Sequence, residues 1–265
     1  MKNKRKNLNF ILGAALSIFT LVLVLWGFLG TPYDPNKMDG TLKFASSSFK
    51  HIFGCDQFGR DIFSRVLTGV GNTFTVAVGT VFIGTIAGIL IGGFCGYFGG
   101  LLDEVLMRII DAIFAFPSIF LALVVICLIG SGKYQVIVAL GIAFIPSFSR
   151  IVRSEFLKQK NMDYVLNARI MGAGHLRIMF IHILPNIVPV LLSSIIIGFN
   201  NAVIAEAGLS YLGIGVQPPD ASLGAMLSEA QTYLFKAPTF AIFPGLIMVI
   251  MILGLGLLSD GMSEK

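Results

Sequence analysis

The stretch DYVLNARIMGAGHLRIMFIHILPN, Asp163–Asn186, separates two long apolar runs and carries charges, two histidines, a Gly-Ala-Gly and a closing Leu-Pro. Asp163 stands where a helix N-cap belongs, and a helix is expected to run through Arg169 to Met171. Gly172 and Gly174 flank Ala173 in a bend with little side-chain bulk, after which His175 and Leu176 lead into a second helical pattern. Leu176, Met179, Phe180 and Ile183 are expected to share one face there, and Pro185 either ends that helix or begins the next apolar run. Two short helices around a small-residue elbow make a knob that fits a partner's groove. An amphipathic loop resting on the membrane surface has the same pattern.

The rest of the chain is made for lipid. Of 265 residues, 55% are hydrophobic and only 12% charged, and the mean hydropathy is +0.86. A soluble domain is about 25% charged, so there is too little charge here to coat a globular surface. The net charge of +5 gathers at the ends of apolar runs, where basic residues set orientation, and not in a patch suited to nucleic acid.

A spanning helix needs roughly 20 predominantly apolar residues. Six runs qualify or nearly do: Phe10–Leu29, Asn72–Tyr97, Val105–Ile129, Tyr134–Phe148, Ile187–Ala205 and Phe240–Leu258. The fold class is therefore all-α, a polytopic membrane helix bundle. The first run follows Lys2, Lys4, Arg5 and Lys6, lacks a small-residue cleavage site, and is too long for a signal-peptide core, so it is expected to be an anchor. It forms, with a polar loop, an N-terminal unit over residues 1–70, and residues 71–265 form a five-helix core. The segment at about 150–185 holds Arg150, Arg153, Lys158, Lys160, Arg169 and Arg177. By the positive-inside rule it is cytoplasmic together with both termini. The Thr31–Arg65 loop, with five basic and four acidic residues, is assigned to the outer side, as is the 209–236 loop.

Gly84, Gly88, Gly92, Gly96 and Gly100 recur at every fourth position, so they share a helix face where another backbone can approach. That face either packs within the bundle or slides at a subunit interface. Near the third run, Glu104 with Arg108 and Arg108 with Asp111 have helical pairing distances, and Pro117 is expected to kink the helix. Cys55, Cys95 and Cys127 have no paired spacing and are expected to be buried free thiols.

Motifs for enzymatic chemistry fail one by one. CLIGSGKY has Cys127 where a phosphate loop needs glycine, and Tyr134 where it needs Ser or Thr. GLSYLG has Leu212 in place of the second glycine of a nucleophile elbow. His51, His175 and His182 form no metal-binding motif, so the sequence points to no catalytic residue, no cofactor and no metal in this chain.

The insert resembles the coupling loop of ABC-importer permeases, patterned EAA, three residues, Gly, nine residues, I-x-L-P. Leu166-Asn167-Ala168 stands for EAA, Gly172 for the glycine, and Leu184-Pro185 for the ending, with His182 at the late apolar position. Leu166 replaces the family's acidic residue and Asn167 its first alanine. Further blocks resemble the second permease of dipeptide, oligopeptide and nickel importers, in the expected order. These are YDPN at 33–36, HIFGCDQFGRDIFSRVLTG at 51–69, MRIIDAIFAFPS at 107–118, AEAGLSYLGIGVQPPDASLG at 205–224 and FPGLIMVIMILGLGLLSDG at 243–261. GCD stands where the family has GTD, and GLGLLSDG where it has FNLLGDG.

The resemblance implies the type I importer permease fold of about six transmembrane helices, in a bacterial inner membrane. It implies half of a translocation pathway completed by a second similar permease, with an extracytoplasmic substrate-binding protein delivering cargo. Two cytoplasmic ATPase subunits would bind ATP and Mg and hold the coupling loops. The family carries peptides, nickel and metal-metallophore complexes, and the compact length and GAGH elbow lean toward the metal-carrying branch. The alternative is a channel or structural membrane subunit without an energy source.

Overall fold

Backbone N–H and C=O groups surrounded by lipid have no water to bond to, so apolar runs must satisfy them internally as helices. A computed structural model describes residues 2–263, with side chains over 9–261. The helices are α1 (Lys2–Leu29), α2 (Ile62–Phe98), α3 (Gly100–Phe114), α4 (Ser118–Ile129), α5 (Lys133–Gln159) and α6 (Asp163–Ile170). They continue as the single turn α7 (His175–Arg177), α8 (Leu184–Tyr211), α9 (Leu223–Gln231) and α10 (Thr239–Ser263). A π-helical stretch, Ile178–Ile183, joins α7 to α8. Apart from an isolated bridge between Cys55 and Asp61, no β-structure occurs among the described residues.

Five helical stretches are long and apolar enough to cross a membrane: Asn9–Leu29, Ile62–Phe98, Lys133–Gln159, His175–Tyr211 and Thr239–Gly261. Helices α3 and α4 add a sixth if taken as one span, but they are bent by 90° at Ala115–Pro117. The kink expected at Pro117 is thus a full break of the third run, with Pro117 placed just before α4. The fourth run outlasts its expected end at Phe148, because α5 continues to Gln159. Its Arg153 is bound at both oxygens of Asp103 in α3, at 2.6 and 2.7 Å, so the extension carries its charge without cost to the helix. Asp111 also looks outward from its own helix, to Arg150 at 2.6 Å, instead of forming the expected pair with Arg108. The Arg108–Glu104 pair is present at 3.5 Å and exposed, where such a pair contributes little.

The densest seam runs between α2 and α5. A Cβ at Gly84 would lie 3.1 Å from a Phe148 ring carbon, at Gly88 2.5 Å from Phe148 Cβ, at Gly92 2.3 Å from the Ser149 carbonyl, and at Gly96 2.7 Å from the Arg153 carbonyl. A side chain at Gly88, Gly92 or Gly96 would force the helices apart, and one at Gly84 would press on the Phe148 ring. The stripe is therefore internal packing, and α5 covers it. Gly100 does not belong to it: α2 has ended at Phe98, and Gly100 has φ +61 with nothing within 4 Å of a Cβ.

The expected division at residue 70 falls inside α2. Helix α1 is seated on α10 by small residues on both sides, with Gly13 against the Leu258 backbone and Gly254 against Leu16. The charged loop before α2 is knit together. Asp61 caps α2 by accepting from Ser64 N–H at 2.7 Å, Arg60 donates to Asp56 at 2.6 Å, and Arg60 and Arg65 reach Glu229 of α9 at 2.8 and 3.4 Å. Of the loop's five basic residues, Arg60 and Arg65 are thereby paired with acids. Cys55 is enclosed here, and burial, with Asp61 and Asp56 adding to it, pushes its thiol up to about 11. Cys95 is also buried, but Cys127 is exposed on α4, against expectation. The basic side chains of Lys2, Lys4, Arg5 and Lys6, on which the orientation of the N-terminus leaned, lie outside the described side chains.

Gly92→Leu is expected to lower thermal stability in detergent by the overpacking cost of about 1–3 kcal/mol or more. Gly208→Ala, in a helix with nothing within 4 Å of the new methyl, is expected to leave stability unchanged or raise it slightly. A melting curve followed by fluorescence-detected size exclusion distinguishes the two.

Candidate functional site

The polar insert folds as the expected elbow, with its details altered. The extended residue before α6 is Met162, so Asp163 occupies the first helical position and caps nothing with its side chain. An acid there still favours the positive end of the helix dipole. Helix α6 stops at Ile170 in a Schellman turn. Gly172 N–H donates to Arg169 O at 2.9 Å and Ala173 N–H to Ala168 O at 3.0 Å, with Gly172 at φ +80. That left-handed step is why glycine is needed at this place. Gly174 then adopts an extended conformation before α7.

One face of the elbow is anchored. Val165, Ala168, Ile178, Met179 and Ile183 are buried with Tyr97 of α2, Val152 and Phe156 of α5, and Ile187 and Leu191 of α8. Tyr97 Oη and His175 Nδ1 are 3.0 Å apart, and the Arg169 guanidinium lies 5.4 Å above the Tyr97 ring. Of the expected face of Leu176, Met179, Phe180 and Ile183, the last three pack on the anchored side and only Leu176 does not. Ile178 turns inward in its place, and Leu176 is exposed. The same wide turn ends just before Leu184 and Pro185, and α8 starts there as a continuation. A proline ring inside a helix needs this room against the preceding turn. The opposite face of the elbow is apolar and bare: Ile170 is 83% and Met171 81% exposed, and Leu166 and Leu176 are exposed as well. Asn167 is exposed beside Leu166.

A second feature lies within the membrane-spanning part. A cleft of about 480 Å³ opens where α3 breaks from α4, walled by α5 and α8. Phe114, Phe116, Phe144 and Phe148 give it aromatic walls, and Ser118, Ser147, Ser194 and Asn201 give it hydroxyl and amide groups. None of its lining residues is charged. Non-helical backbone at membrane depth is tolerated only where it is buried in protein or lines a water-filled cavity. The break at Ala115–Pro117 therefore marks this face as one turned away from lipid. By contrast, Val78, Phe82, Ile86 and Leu90 form an exposed stripe on α2 that is wholly apolar. The sequence contained one pointer to the cleft, FAFPS at 114–118, but a proline alone does not say which helices face the break.

Neither feature holds catalytic geometry. Ser210 is buried, donating to Glu206 at 2.6 Å and accepting from Val216 N–H at 3.1 Å. No group of three or more His, Cys, Asp or Glu residues that could hold a metal occurs among the described residues.

Residues 84–264 match the family described as binding-protein-dependent transport system inner membrane component. The chain belongs to this family. It is 39% identical to the glutathione transport system permease protein GsiD of Pectobacterium atrosepticum, over 98% of this chain and 88% of that one. It is 40% identical to the GsiD protein of an Escherichia coli strain, over 95% and 84% of the two chains. A solved structure of the methionine ABC transporter MetNI, in an inward-facing conformation, matches with a TM-score of 0.61 at 20% identity, over 74% of this chain and 93% of that chain. At that identity the likeness is one of fold. The protein is thus a permease subunit of a binding-protein-dependent ABC importer, a multi-pass inner membrane component. The channel or structural-subunit alternative falls away with that membership.

In a cysteine-free variant of this permease, Ser147→Cys and Asn201→Cys are expected to react with a charged, water-soluble methanethiosulfonate, and Phe82→Cys on the apolar stripe is not. Protection of both cleft positions, with labelling of Phe82→Cys, would show that the cleft is not the wetted face.

Proposed function

We propose that the permease contributes half of a translocation pathway, with the cleft as part of its wall, and that the 163–185 insert is the handle held by a cytoplasmic ATPase subunit. The observation that carries this reading is the two-sidedness of the elbow. Its inner face is packed on α2, α5 and α8, and its outer face leaves Ile170 and Met171 almost fully bare. Apolar residues that no part of the chain covers suit a partner's groove, and a rigidly backed knob passes a partner's movement to three spanning helices at once. Leu166, where related permeases carry an acid, adds to this apolar surface. ATP and Mg belong to the partner subunits in this reading, and this chain binds no cofactor. A second, similar permease faces the cleft, and a substrate-binding protein approaches the opposite side of the membrane.

For the cargo, similarity to permeases of glutathione transport systems supports a short peptide over the metal chelates suggested by the elbow and length. A wall without fixed charge neither traps nor repels a zwitterionic peptide, and selection then falls to the binding protein.

Orientation follows from the six cationic residues of the 150–177 segment. Among single cysteines in a cysteine-free variant, Asp220→Cys is expected to react with an impermeant maleimide added to intact cells, and Lys158→Cys only after lysis. The reverse pattern would invert the topology.

The handle is tested with bulk. Gly172→Trp would strain a residue at φ +80, and Ala173 is partly packed against the inner cluster. Gly174 has ordinary backbone angles and nothing within 4 Å of a Cβ. Gly174→Trp is therefore expected to insert and fold normally while ATPase retention on purification falls by about tenfold or more, the scale of a lost interface hot spot, and uptake is lost. Leu166→Glu is expected to be tolerated. Full retention and transport by Gly174→Trp would place the handle elsewhere.

A further inference from the structure

Glu206 lies in α8 with no exposed surface, inside a stretch long and apolar enough to span the membrane. An ionisable side chain in such a place is expensive and calls for a functional account. Its oxygens are taken by hydroxyls: Thr73 of α2 donates at 2.9 Å, and Ser210, one turn further along α8, donates at 2.6 Å. No lysine or arginine forms a salt bridge with it among the described residues. Each hydroxyl oxygen in turn accepts a backbone N–H from the connector between α8 and α9 or from the first residue of α9. Leu223 donates to Thr73 at 3.3 Å, and Val216 to Ser210 at 3.1 Å. One carboxyl group is therefore the common end of two hydrogen-bond relays, and the connector's own Ser222 hydroxyl bonds to it as well.

The connector has no slack around this hub. A Cβ at Gly215 would lie 2.1 Å from the Ser210 hydroxyl, and one at Gly224 2.4 Å from the Ala207 carbonyl. Asn72, beside Thr73, donates to the Ala221 carbonyl at 2.7 Å, and Lys133 at the start of α5 donates to Asn72 at 3.2 Å. The hub is remote from the insert: Thr73 precedes Tyr97 by 24 residues of one helix, about 36 Å at 1.5 Å per residue. It backs directly on the cleft, because Ile204 and Ala205, the two residues before Glu206, line it.

We propose that Glu206 is a positioning residue of transport: through Thr73 and Ser210 it latches the 212–223 connector over the end of the cleft opposite the insert, and the relays part when that end opens. This rests on the permease reading above. A buried acid suits the task. Hydrogen bonds to it are strong enough to hold a segment closed, and two bonds to one group are lost together when α2 and α8 separate.

The test uses the importer assembled with its partner permease and ATPases, in a cysteine-free background with Ala221→Cys as reporter. Ala221 is 2% exposed. In nanodiscs, where both faces are accessible, maleimide labelling of the reporter is expected to be slow in the parent and in Glu206→Gln, which keeps an acceptor oxygen. In Glu206→Leu it is expected to quicken about ten- to hundredfold, the population change from losing two buried hydrogen bonds together. In proteoliposomes, Glu206→Leu is expected to go on hydrolysing ATP while uptake per ATP falls by about the same factor. A purely structural role would lower the yield of complex but leave uptake per ATP in the surviving complex unchanged. Unchanged labelling in Glu206→Leu, or faster labelling with normal uptake per ATP, overturns the latch. Should Glu206→Leu fail to assemble, Thr73→Val cuts only the α2 relay and is judged by the same two readouts. Absence of glutathione uptake in the parent complex would sink the pathway and cargo proposed above, and the labelling contrast would still decide whether Glu206 holds the connector.

Discussion

The close approach of α2 and α5 is the constraint on which the other contacts depend. Without side chains at Gly88, Gly92 and Gly96, the α2 backbone rests on Phe148, Ser149 and Arg153. In lipid there is little hydrophobic gain from bringing two helices together, so van der Waals contact at short range has to supply the attraction. Once the seam is closed, Arg153 is in place for Asp103, which brings in α3. Phe156 and Val152 offer the surface on which the insert packs, together with Tyr97. At the other end the same α2 carries Asn72 and Thr73, which hold the connector. One helix thus backs the insert at one end, packs along α5 through its length, and binds the α8–α9 connector at the other end.

Much of this was legible in the sequence. Five apolar runs became single spanning helices because hydropathy and length are local properties. The elbow was legible because Gly172 marks a left-handed step that other residues rarely adopt. Less could be read where the outcome depends on which helix lies opposite. The bend at Ala115–Pro117 reached 90°, with α3 against α2 and α5 and α4 against α5 and α8, and a lone proline is compatible with anything from a slight kink to a break. The partner of Asp111 was misjudged for a similar reason. Helical spacing offered Arg108, but Arg150 from the next helix comes closer. Cys127 sat in an apolar run and was taken as buried, whereas such a run in a membrane protein faces lipid or a partner as readily as the core.

The buried charges divide between two kinds of environment. Those of the loop before α2 and of α9, Asp56, Arg60, Arg65 and Glu229, are paired with opposite charges. This fits a region close to water, where a pair is both easily formed and easily exchanged. Glu206 is held by hydroxyls alone among its hydrogen-bond partners. Hydroxyls are short and uncharged, and they can pass a hydrogen bond on to a backbone N–H. A lysine or arginine in their place would satisfy the acid but would accept nothing from the connector.

The uncharged lining of the cleft has an electrical consequence. A unit charge carried across the membrane gains or loses about 2.3 kcal/mol per 100 mV. A wall that carries charged residues through the field as it rocks makes its own movement dependent on voltage. None of the residues lining this cleft is charged, so their movement adds no gating charge.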